Sequence, residues 1–148
     1  MLITQKMQYA LRALYELAKH YDQGPLKTAQ IAETQSIPVR FLEVILNHLK
    51  KAGLVVAKRG FYGGYQLMRP PDKITVENIF QGLEESSEPY TCVSCSSQCN
   101  CPFFGQCAFM PLWEELQTAI EAVCRRTTIQ NLLDNEQSLK LAAPEDEC

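Results

Sequence analysis

The sequence predicts a mainly α-helical protein: a winged helix-turn-helix with a β-hairpin wing, a cysteine-rich loop and a long C-terminal dimerisation helix. Three observations support this fold class. Apolar residues recur at helical spacing through the first third of the chain. A glycine-rich hairpin pattern follows directly, and five of the seven cysteines lie within sixteen residues. With 148 residues, 46% of them hydrophobic, the chain can form one domain with a real core.

Two helices are predicted near the N-terminus. The first spans residues 4–21, with Thr4 as a suitable N-cap, and the Gly24-Pro25 pair ends the segment. The second is short, spans residues 28–34 and has Thr28 as its cap. Because helix N-termini favour anions, Thr28 can also reach a phosphate group from this position.

A third helix is predicted over residues 39–52, and Gly53 is a good residue to end it. Its apolar residues at i, i+3, i+4 and i+7 form one buried face. Basic, acidic and amide side chains remain on the outer faces, as in the second helix of a helix-turn-helix. The buried positions are Leu42, Ile45, Leu46 and Leu49, and the outer ones are Arg40, Glu43, Asn47, Lys50 and Lys51.

A β-hairpin is predicted directly after this helix. Strands over residues 54–59 and 65–69 flank a glycine-rich turn at 60–64. Lys58 and Arg59 lie near the tip, where an arginine can enter a minor groove. The alternative is a plain hairpin with solvated charges. Helix, hairpin and basic excess together favour a winged helix.

The remaining chain is predicted to hold a linker, the cysteine loop and one long helix. Thr75 can cap a helix over residues 76–83, and from Pro111 an apolar stripe continues to about Leu133. A second copy of the long helix is the simplest partner for its apolar stripe, and this arrangement gives a symmetric dimer. The alternative is that the helix packs back on its own domain. We therefore divide the chain into a winged-helix DNA-binding domain (1–83), a linker and cluster-binding loop (84–109), a dimerisation helix (110–135) and a disordered tail (136–148).

The charge is divided unevenly along the chain. Residues 1–73 hold 11 lysines and arginines and 5 acidic residues, whereas residues 74–148 hold 3 and 12. This indicates one end that binds a polyanion and one that avoids it. No apolar run reaches the roughly 18 residues that cross a membrane, and no export signal is visible, so a cytoplasmic protein is expected. No glycine-rich cofactor loop, Ser/His/Asp arrangement or paired carboxylates point to an enzyme.

The cysteines point to metal or redox chemistry. An odd number in a chain without an export signal argues against a disulfide framework. Iron–sulfur clusters take soft thiolates at short spacings, whereas a four-thiolate zinc site usually has two separated pairs. A thiol–disulfide switch is the third alternative, and Cys124 is interpreted as a core thiol. The clustered residues are Cys92, Cys95, Cys99, Cys101 and Cys107.

Three segments resemble the Rrf-two (Rrf2) family of bacterial winged-helix transcription regulators over roughly residues 1–135. They are residues 2–14, the stretch from Phe41-Leu42-Glu43 to 51–55, and Arg59-Gly60-x-x-Gly63-Gly64-Tyr65. The resemblance implies a homodimer on a palindromic promoter element, with the third helix in the major groove. It also implies that Arg59 is the wing arginine and that Glu43 is the recognition-helix glutamate. Glu43 either accepts a hydrogen bond from cytosine N4 or is a solvated helix charge.

The cysteine loop both matches the family and departs from it. The C-x5-C-x5-C spacing of Cys95, Cys101 and Cys107 resembles the cluster loop of IscR-type members. The histidine that follows in those members is replaced by Met110, and the acidic position on the first helix of NsrR-type members is Gln8. Cys92 or Cys99 is therefore the candidate fourth ligand. Neither histidine, His20 or His48, is expected to bind metal, and the cluster type, [2Fe-2S] or [4Fe-4S], stays open.

The resemblance implies a homodimeric DNA-binding regulator that senses iron, redox or nitric oxide status through an iron–sulfur cluster. A regulator that uses zinc, a thiol switch or a partner protein is the alternative. The wing departs from the usual glycine-rich form at Phe61 and Tyr62, and Tyr62 either stacks on the sugar–phosphate backbone or restricts the wing. The candidate DNA-binding residues are Thr28, Arg40, Glu43, Asn47, Lys50, Arg59 and Tyr62.

Overall fold

The computed structural model describes residues 4–83, 103 and 106–142. Three helices come first, an antiparallel β-hairpin follows them, and a 3-10 turn leads into three further helices. The predicted winged helix-turn-helix is confirmed. The elements are α1 (Gln5–Lys19), α2 (Thr28–Gln35), α3 (Val39–Lys51), β1 (Val55–Lys58), β2 (Gly64–Leu67), the 3-10 turn (Pro71–Lys73), α4 (Val76–Gly82), α5 (Met110–Arg126) and α6 (Ile129–Ala142).

The helices begin and end at polar and glycine signals in the sequence. Thr4 caps α1, since its Oγ1 accepts the N–H of Met7 at 3.1 Å. At the end of α3, Gly53 has φ +70°, and the N–H of Leu54 donates to the carbonyl of Leu49 at 3.0 Å. This is a Schellman-type ending, which uses glycine for its left-handed residue.

The prediction that Thr28 caps α2 is wrong. Lys27 occupies the N-cap position, and Thr28 is the first residue inside the helix. Lys27 has no side-chain acceptor, so the sequence rule favoured the neighbouring threonine. Instead, the side-chain oxygen of Gln30 accepts the backbone N–H of Lys27 at 2.9 Å.

The hydrophobic core lies between α1, α2, α3 and the hairpin. The buried face of α3 is the predicted one, because all four of its apolar positions are buried. Ile129 at the start of α6 joins the same core and is fully buried. The largest fully buried side chains are Met7, Leu14, Ile31, Leu42, Ile45, Leu46, Leu49, Leu54, Ile74, Ile79, Leu83 and Ile129.

The wing pairs β1 with β2 from Val55 opposite Leu67 to Lys58 opposite Gly64. Leu26, in the segment before α2, adds a bridge on the other side of β2, with two backbone hydrogen bonds of 2.8 Å to Tyr65. A Cβ on Gly64 would lie 2.2 Å from the carbonyl oxygen of Leu26. Glycine is therefore required where the wing meets the start of α2.

The single helix predicted from Pro111 to about Leu133 is in fact two helices. The chain is extended at Thr127, whose carbonyl accepts the N–H of Val76 at 2.9 Å. Thr128 then caps α6, because its Oγ1 accepts the N–H of Asn131 at 3.2 Å. Pairing with the segment before α4 thus replaces the helical hydrogen bonds.

Helix α6 packs back on the winged domain, as the alternative interpretation of the C-terminal region had it. Lys19 on α1 contacts Glu136 at 3.2 Å. Residues 136–142, predicted as part of a disordered tail, belong to this helix. Residues 143–148 and most of the predicted linker and loop at 84–109 lie outside the described residues.

Candidate nucleic-acid interface

The outer face of α3 presents the polar residues that the sequence assigned to it. Arg40, Glu43, Asn47 and Lys50 are all exposed, on the sides of the helix away from Leu42 and Leu49. Because the buried residues fix the rotation of α3, they also fix which side chains face outward. The face offers a guanidinium, a carboxylate, an amide and an ammonium, which are the groups that read base edges and phosphates.

Two exposed aliphatic and aromatic residues on α3 were not selected from the sequence. Phe41 is 62% exposed and Val44 is 54% exposed. With the start of α1, including Lys6 and Tyr9, they line a mainly apolar groove. The sequence alone does not show that these two residues are exposed, because a phenylalanine such as Phe41 is equally consistent with a core position. Their exposure follows from the rotation of α3 in the structure.

The position of α2 relative to α1 depends on a buried carboxylate that sequence analysis missed. Glu16 lies on the buried side of α1 and is 4% exposed. Gln35, at the end of α2, donates its amide to Glu16 at 2.7 Å and accepts a hydrogen bond from Arg12 at 3.4 Å. His20 lies 3.6 Å from the same carboxylate. A glutamate between two core leucines was the available signal, because buried charges need such partners.

The wing tip and the start of α2 lie beside each other. The ammonium of Lys27 lies 5.1 Å from the centre of the Phe61 ring. Thr28, the first residue of α2, is half-buried next to this contact. Arg59 is exposed at the end of β1, and Tyr62 is 86% exposed at the tip. Neither Lys27 nor Phe61 was among the predicted site residues.

Among the five clustered cysteines, only Cys107 falls within the described residues. It is half-buried, and its carbonyl accepts the N–H of Met110 at 3.2 Å, one turn before α5 begins. Within the described part of the chain, no three metal-ligating side chains come together. The other predicted ligands, Cys92, Cys95, Cys99 and Cys101, lie outside the described residues.

The remaining described cysteine, Cys124, sits in a different environment. It is half-buried on α5, and burial, followed by the nearby carboxylates of Glu77 and Glu121, raises its pKa. A raised pKa keeps the thiol protonated, and the thiolate is the form that binds metal or attacks disulfides. Burial and these carboxylates therefore disfavour the thiolate form of Cys124.

The other sequence expectations concern membranes and alternative ligands. Within residues 4–83, 103 and 106–142, no helix is both long and apolar enough to span a bilayer. Met110 opens α5 and is half-buried, and Gln8 is exposed on α1. His48 is half-buried on α3.

Comparison with known proteins gives the family. A family model described as "Rrf2: Iron-dependent Transcriptional regulator" matches residues 3–135. The chain is 47% identical over 90 residues to the HTH-type transcriptional regulator slr0846 of Synechocystis sp., an alignment that spans 61% of this chain and 61% of that protein. It is 31% identical over 146 residues to the HTH-type transcriptional regulator IscR of Pectobacterium atrosepticum, which covers 99% of this chain and 87% of IscR.

A solved structure agrees with this assignment. CymR, the global cysteine regulator of B. subtilis, matches with a TM-score of 0.77 and 32% sequence identity, over 91% of this chain and 98% of CymR. The proteins it resembles are transcriptional regulators and not enzymes. The chain belongs to the Rrf2 family of transcriptional regulators.

Proposed function

We propose that the chain is a homodimeric regulator that binds a palindromic promoter element and senses iron, redox or nitric oxide status through an iron–sulfur cluster. The observation that carries the DNA-binding part is the exposed face of α3, which presents Arg40, Glu43 and Asn47 together beside a basic wing. Such a face fits the major groove, where each base pair shows a distinct set of donors and acceptors.

Each side chain has a role that follows from its chemistry. Arg40 donates to guanine or to a phosphate, Glu43 accepts from cytosine N4, and Asn47 pairs with adenine. Lys50 and the N-terminus of α2 at Thr28 hold phosphates, which position the helix without reading sequence. Arg59 enters the adjacent minor groove from the wing, where a narrow groove favours an arginine.

Helix α5 supports the homodimer. Its 17 residues include none that is buried, although its apolar side chains recur at three- and four-residue steps. Leu112 is 48% exposed and Val123 is 46% exposed. A second copy of α5 would cover this stripe and relate the two α3 helices by a twofold axis, which matches a palindromic site.

The cysteine run supplies the donor set for a cluster. Cys95, Cys101 and Cys107 would provide three thiolates, with Cys92 or Cys99 as the fourth. Short spacings of soft ligands fit iron–sulfur chemistry. When bound, such a cluster supplies a centre that can be oxidised, lost or attacked by small molecules. Cys107 fits this role because it is half-buried just before α5, where its position bears directly on the helix.

The connections of α5 offer a route from the loop to the DNA-binding face. Cys107 lies one turn before α5, and the other end of the helix contacts α4 through Arg125 and Glu77 at 2.8 Å. A change in how the loop is held would move α5 and shift the population between two spacings of the paired α3 helices. Helix α6 contacts α1 through Lys19 and Glu136 and therefore belongs with the winged domain in this change.

The second candidate function keeps the DNA-binding part and replaces the cluster with zinc, a thiol switch or a partner protein. The specific observation in its favour is the likeness to CymR, whose solved structure is described as that of a global cysteine regulator.

The test starts with protein purified without oxygen, on which iron, sulfide and zinc are measured per chain alongside the visible spectrum. We expect near-stoichiometric iron and sulfide with a visible chromophore. Single Cys→Ala variants at Cys95, Cys101 and Cys107 should lose the chromophore and change operator affinity. The control Cys124→Ala should retain the chromophore and bind the operator as the parent protein does. Zinc alone, or no metal, would favour the second candidate function.

The DNA-binding part is tested separately by salt and by the wing. The logarithm of the affinity should fall by roughly 0.9 per phosphate contact for each log unit of salt. Arg59→Ala should weaken specific binding by about 1–3 kcal/mol for each well-formed hydrogen bond to DNA that the substitution removes. Equal binding by this variant and the parent protein would remove the wing from the interface.

A further inference from the structure

The tip of the wing is a tight turn that displays two aromatic side chains. The N–H of Gly63 donates to the carbonyl of Gly60 at 3.0 Å, so Phe61 and Tyr62 occupy the two central positions of a β-turn. A Cβ on Gly63 would lie 2.3 Å from the carbonyl oxygen of Lys58. The turn therefore admits no side chain at Gly63, and the two aromatic rings form its outer end.

Both rings are exposed to an extent that is unusual for aromatic side chains. Phe61 is 80% exposed and Tyr62 is 86% exposed. They pack against each other edge to face, with ring centres 5.0 Å apart and planes at 87°. Adjacent exposed aromatic rings at the end of a hairpin leave apolar area in water, which indicates a surface that is covered in a complex.

The two rings have different neighbours. The ammonium of Lys27 lies over the ring of Phe61 at 5.1 Å, and this cation–π contact ties Phe61 to the start of α2. Tyr62 packs against Phe61 on one side and is otherwise exposed. Lys27 thus holds Phe61 in place, and Phe61 in turn orients Tyr62.

The charges around the tip identify the partner as a polyanion. Lys58 and Arg59 precede the turn and are exposed, as is Lys27. The sequence from residue 53 to residue 71 contains Arg69 as well and no acidic residue. An apolar projection surrounded by cations fits the minor groove of a duplex, which is lined by phosphates and has base edges at its floor.

We propose that Tyr62 acts as a wedge in the minor groove, and that Phe61 and Lys27 brace it. The wing would then select deformable base steps on the outer side of each half-site. This inference rests on the proposed DNA-binding function and adds to it a source of specificity that involves no base hydrogen bond. Pyrimidine–purine steps such as TA unstack most easily, so a wedge binds them in preference to stiff A-tracts.

The test begins with a duplex library that contains a randomised central region, selected in parallel on the parent protein and on Tyr62→Ala. Enriched sequences give the half-sites and the steps that flank them. Binding is then measured by fluorescence anisotropy on the enriched duplex and on a copy whose flanking TA steps are changed to AA. We expect the parent protein to prefer the TA duplex by about tenfold, because the wedge must unstack a base step and a TA step unstacks more easily than a stiff AA step.

The variants separate the wedge from its brace. Tyr62→Ala should abolish the preference for TA steps while it still selects the same half-sites. Phe61→Ala and Lys27→Gln should reduce the preference in part, and Tyr21→Ala, at an exposed tyrosine remote from the wing in sequence, should leave it unchanged. With 2-aminopurine at the flanking step, fluorescence should rise when the parent protein binds and not when Tyr62→Ala binds.

Each contrary result has a distinct meaning. If no sequence is enriched by the parent protein, the proposed function fails and this inference fails with it. Enriched half-sites without a flanking preference would overturn the wedge alone. An equal loss of affinity for TA and AA duplexes in Tyr62→Ala would also overturn it, since the ring would then pack only on the sugar–phosphate backbone.

Discussion

Arg125, in the last turn of α5, donates from Nε to Oε1 of Glu77 on α4 at 2.8 Å. The same guanidinium lies 3.3 Å from Glu121, one turn earlier on its own helix. Together with the backbone hydrogen bond between Val76 and Thr127, this contact fixes the C-terminal end of α5 to the winged domain. The helix that begins next to the cysteine loop therefore ends against α4.

Replacement of Arg125 by alanine should loosen α5 without unfolding the protein. The Arg125 side chain is mostly exposed and that of Glu77 is half-buried, and an ion pair open to solvent on one side adds little to stability. We expect faster hydrogen exchange in the last two turns of α5, with almost no change in Tm. Arg126→Ala is the matched control, since Arg126 makes no ion pair within the described part of the chain. Equal exchange in the two variants would show that Arg125 does not hold the helix.

Ile129 is expected to contribute strongly to stability. It is fully buried in the core, and its N–H donates to the carbonyl of Ile74 at 2.9 Å. Ile129→Ala should lower the free energy of unfolding by about 2–5 kcal/mol, because it leaves a cavity where α6 joins the winged domain. Leu139→Ala, at a position that is 70% exposed on the same helix, should change it by less than about 0.5 kcal/mol. Urea titration measures both, and similar values would argue against this packing of α6.

The C-terminal break marks what the sequence could and could not predict. The apolar repeat of α5 lapses after Val123, because the next positions on that face, Arg126 and Thr127, are polar, and Thr128 is a residue type that favours N-caps. The prediction of a single helix overlooked this local signal. The break depends on Thr127 and Thr128 meeting the segment before α4, roughly fifty residues away in the sequence. Local patterns cannot contain that pairing. The buried face of α3 was predictable because its repeat is local and complete.

The candidate site divides in the same way. The outward position of Arg40 and Glu43 follows from the helical repeat, so the sequence was sufficient. The contact between Lys27 and Phe61 depends on the bridge that joins Leu26 to Tyr65, which only the tertiary structure reveals.

Alanine at Gly64 should damage the wing more than alanine at Gly24. Both glycines have positive φ, but a Cβ on Gly64 would collide with the carbonyl of Leu26, whereas a Cβ on Gly24 meets nothing within 4 Å. Gly24→Ala should cost about 1 kcal/mol of backbone strain, and Gly64→Ala clearly more. Thermal unfolding compares the two variants. Equal Tm values would show that Leu26 does not lie against Gly64 as the structure has it.

The contact between α1 and α6 should make stability depend on pH at both extremes. A hydrogen bond from Tyr15, followed by one from Lys140, lowers the pKa of Glu136 from 4.5 to about 2. Partial burial, followed by Glu136, raises the pKa of Tyr15 from 10.0 to about 12. The stability that Glu136 contributes is therefore complete above about pH 4.5 and is lost as the pH falls towards 2. The stability that Tyr15 contributes is complete below about pH 10 and is lost as the pH rises towards 12.

Measurement of Tm across this range checks the contact. Tyr15→Phe should flatten the alkaline limb between pH 10 and 12, and Glu136→Gln should flatten the acid limb between pH 4.5 and 2. Tyr21→Phe is the control, because Tyr21 is an exposed tyrosine just after the same helix. A Tyr15→Phe profile that follows the parent protein would show that the two side chains do not interact in solution.

Removal of the carboxylate of Glu43 should relax sequence specificity more than it changes affinity. Glu43 is exposed on α3 between Arg40 and Asn47, and a carboxylate there accepts from cytosine N4 but repels the acceptor groups of other bases. Glu43→Ala should lose about 1–3 kcal/mol of discrimination between bases at one position of the half-site. Its binding to duplexes with another base at that position should become stronger, because a negative charge near the phosphates has been removed. Competition binding with the four bases at each position measures this, and Glu33→Ala, an exposed glutamate on α2, controls for net charge. If Glu33→Ala and Glu43→Ala strengthen all duplexes equally, Glu43 acts as a solvated charge and reads no base.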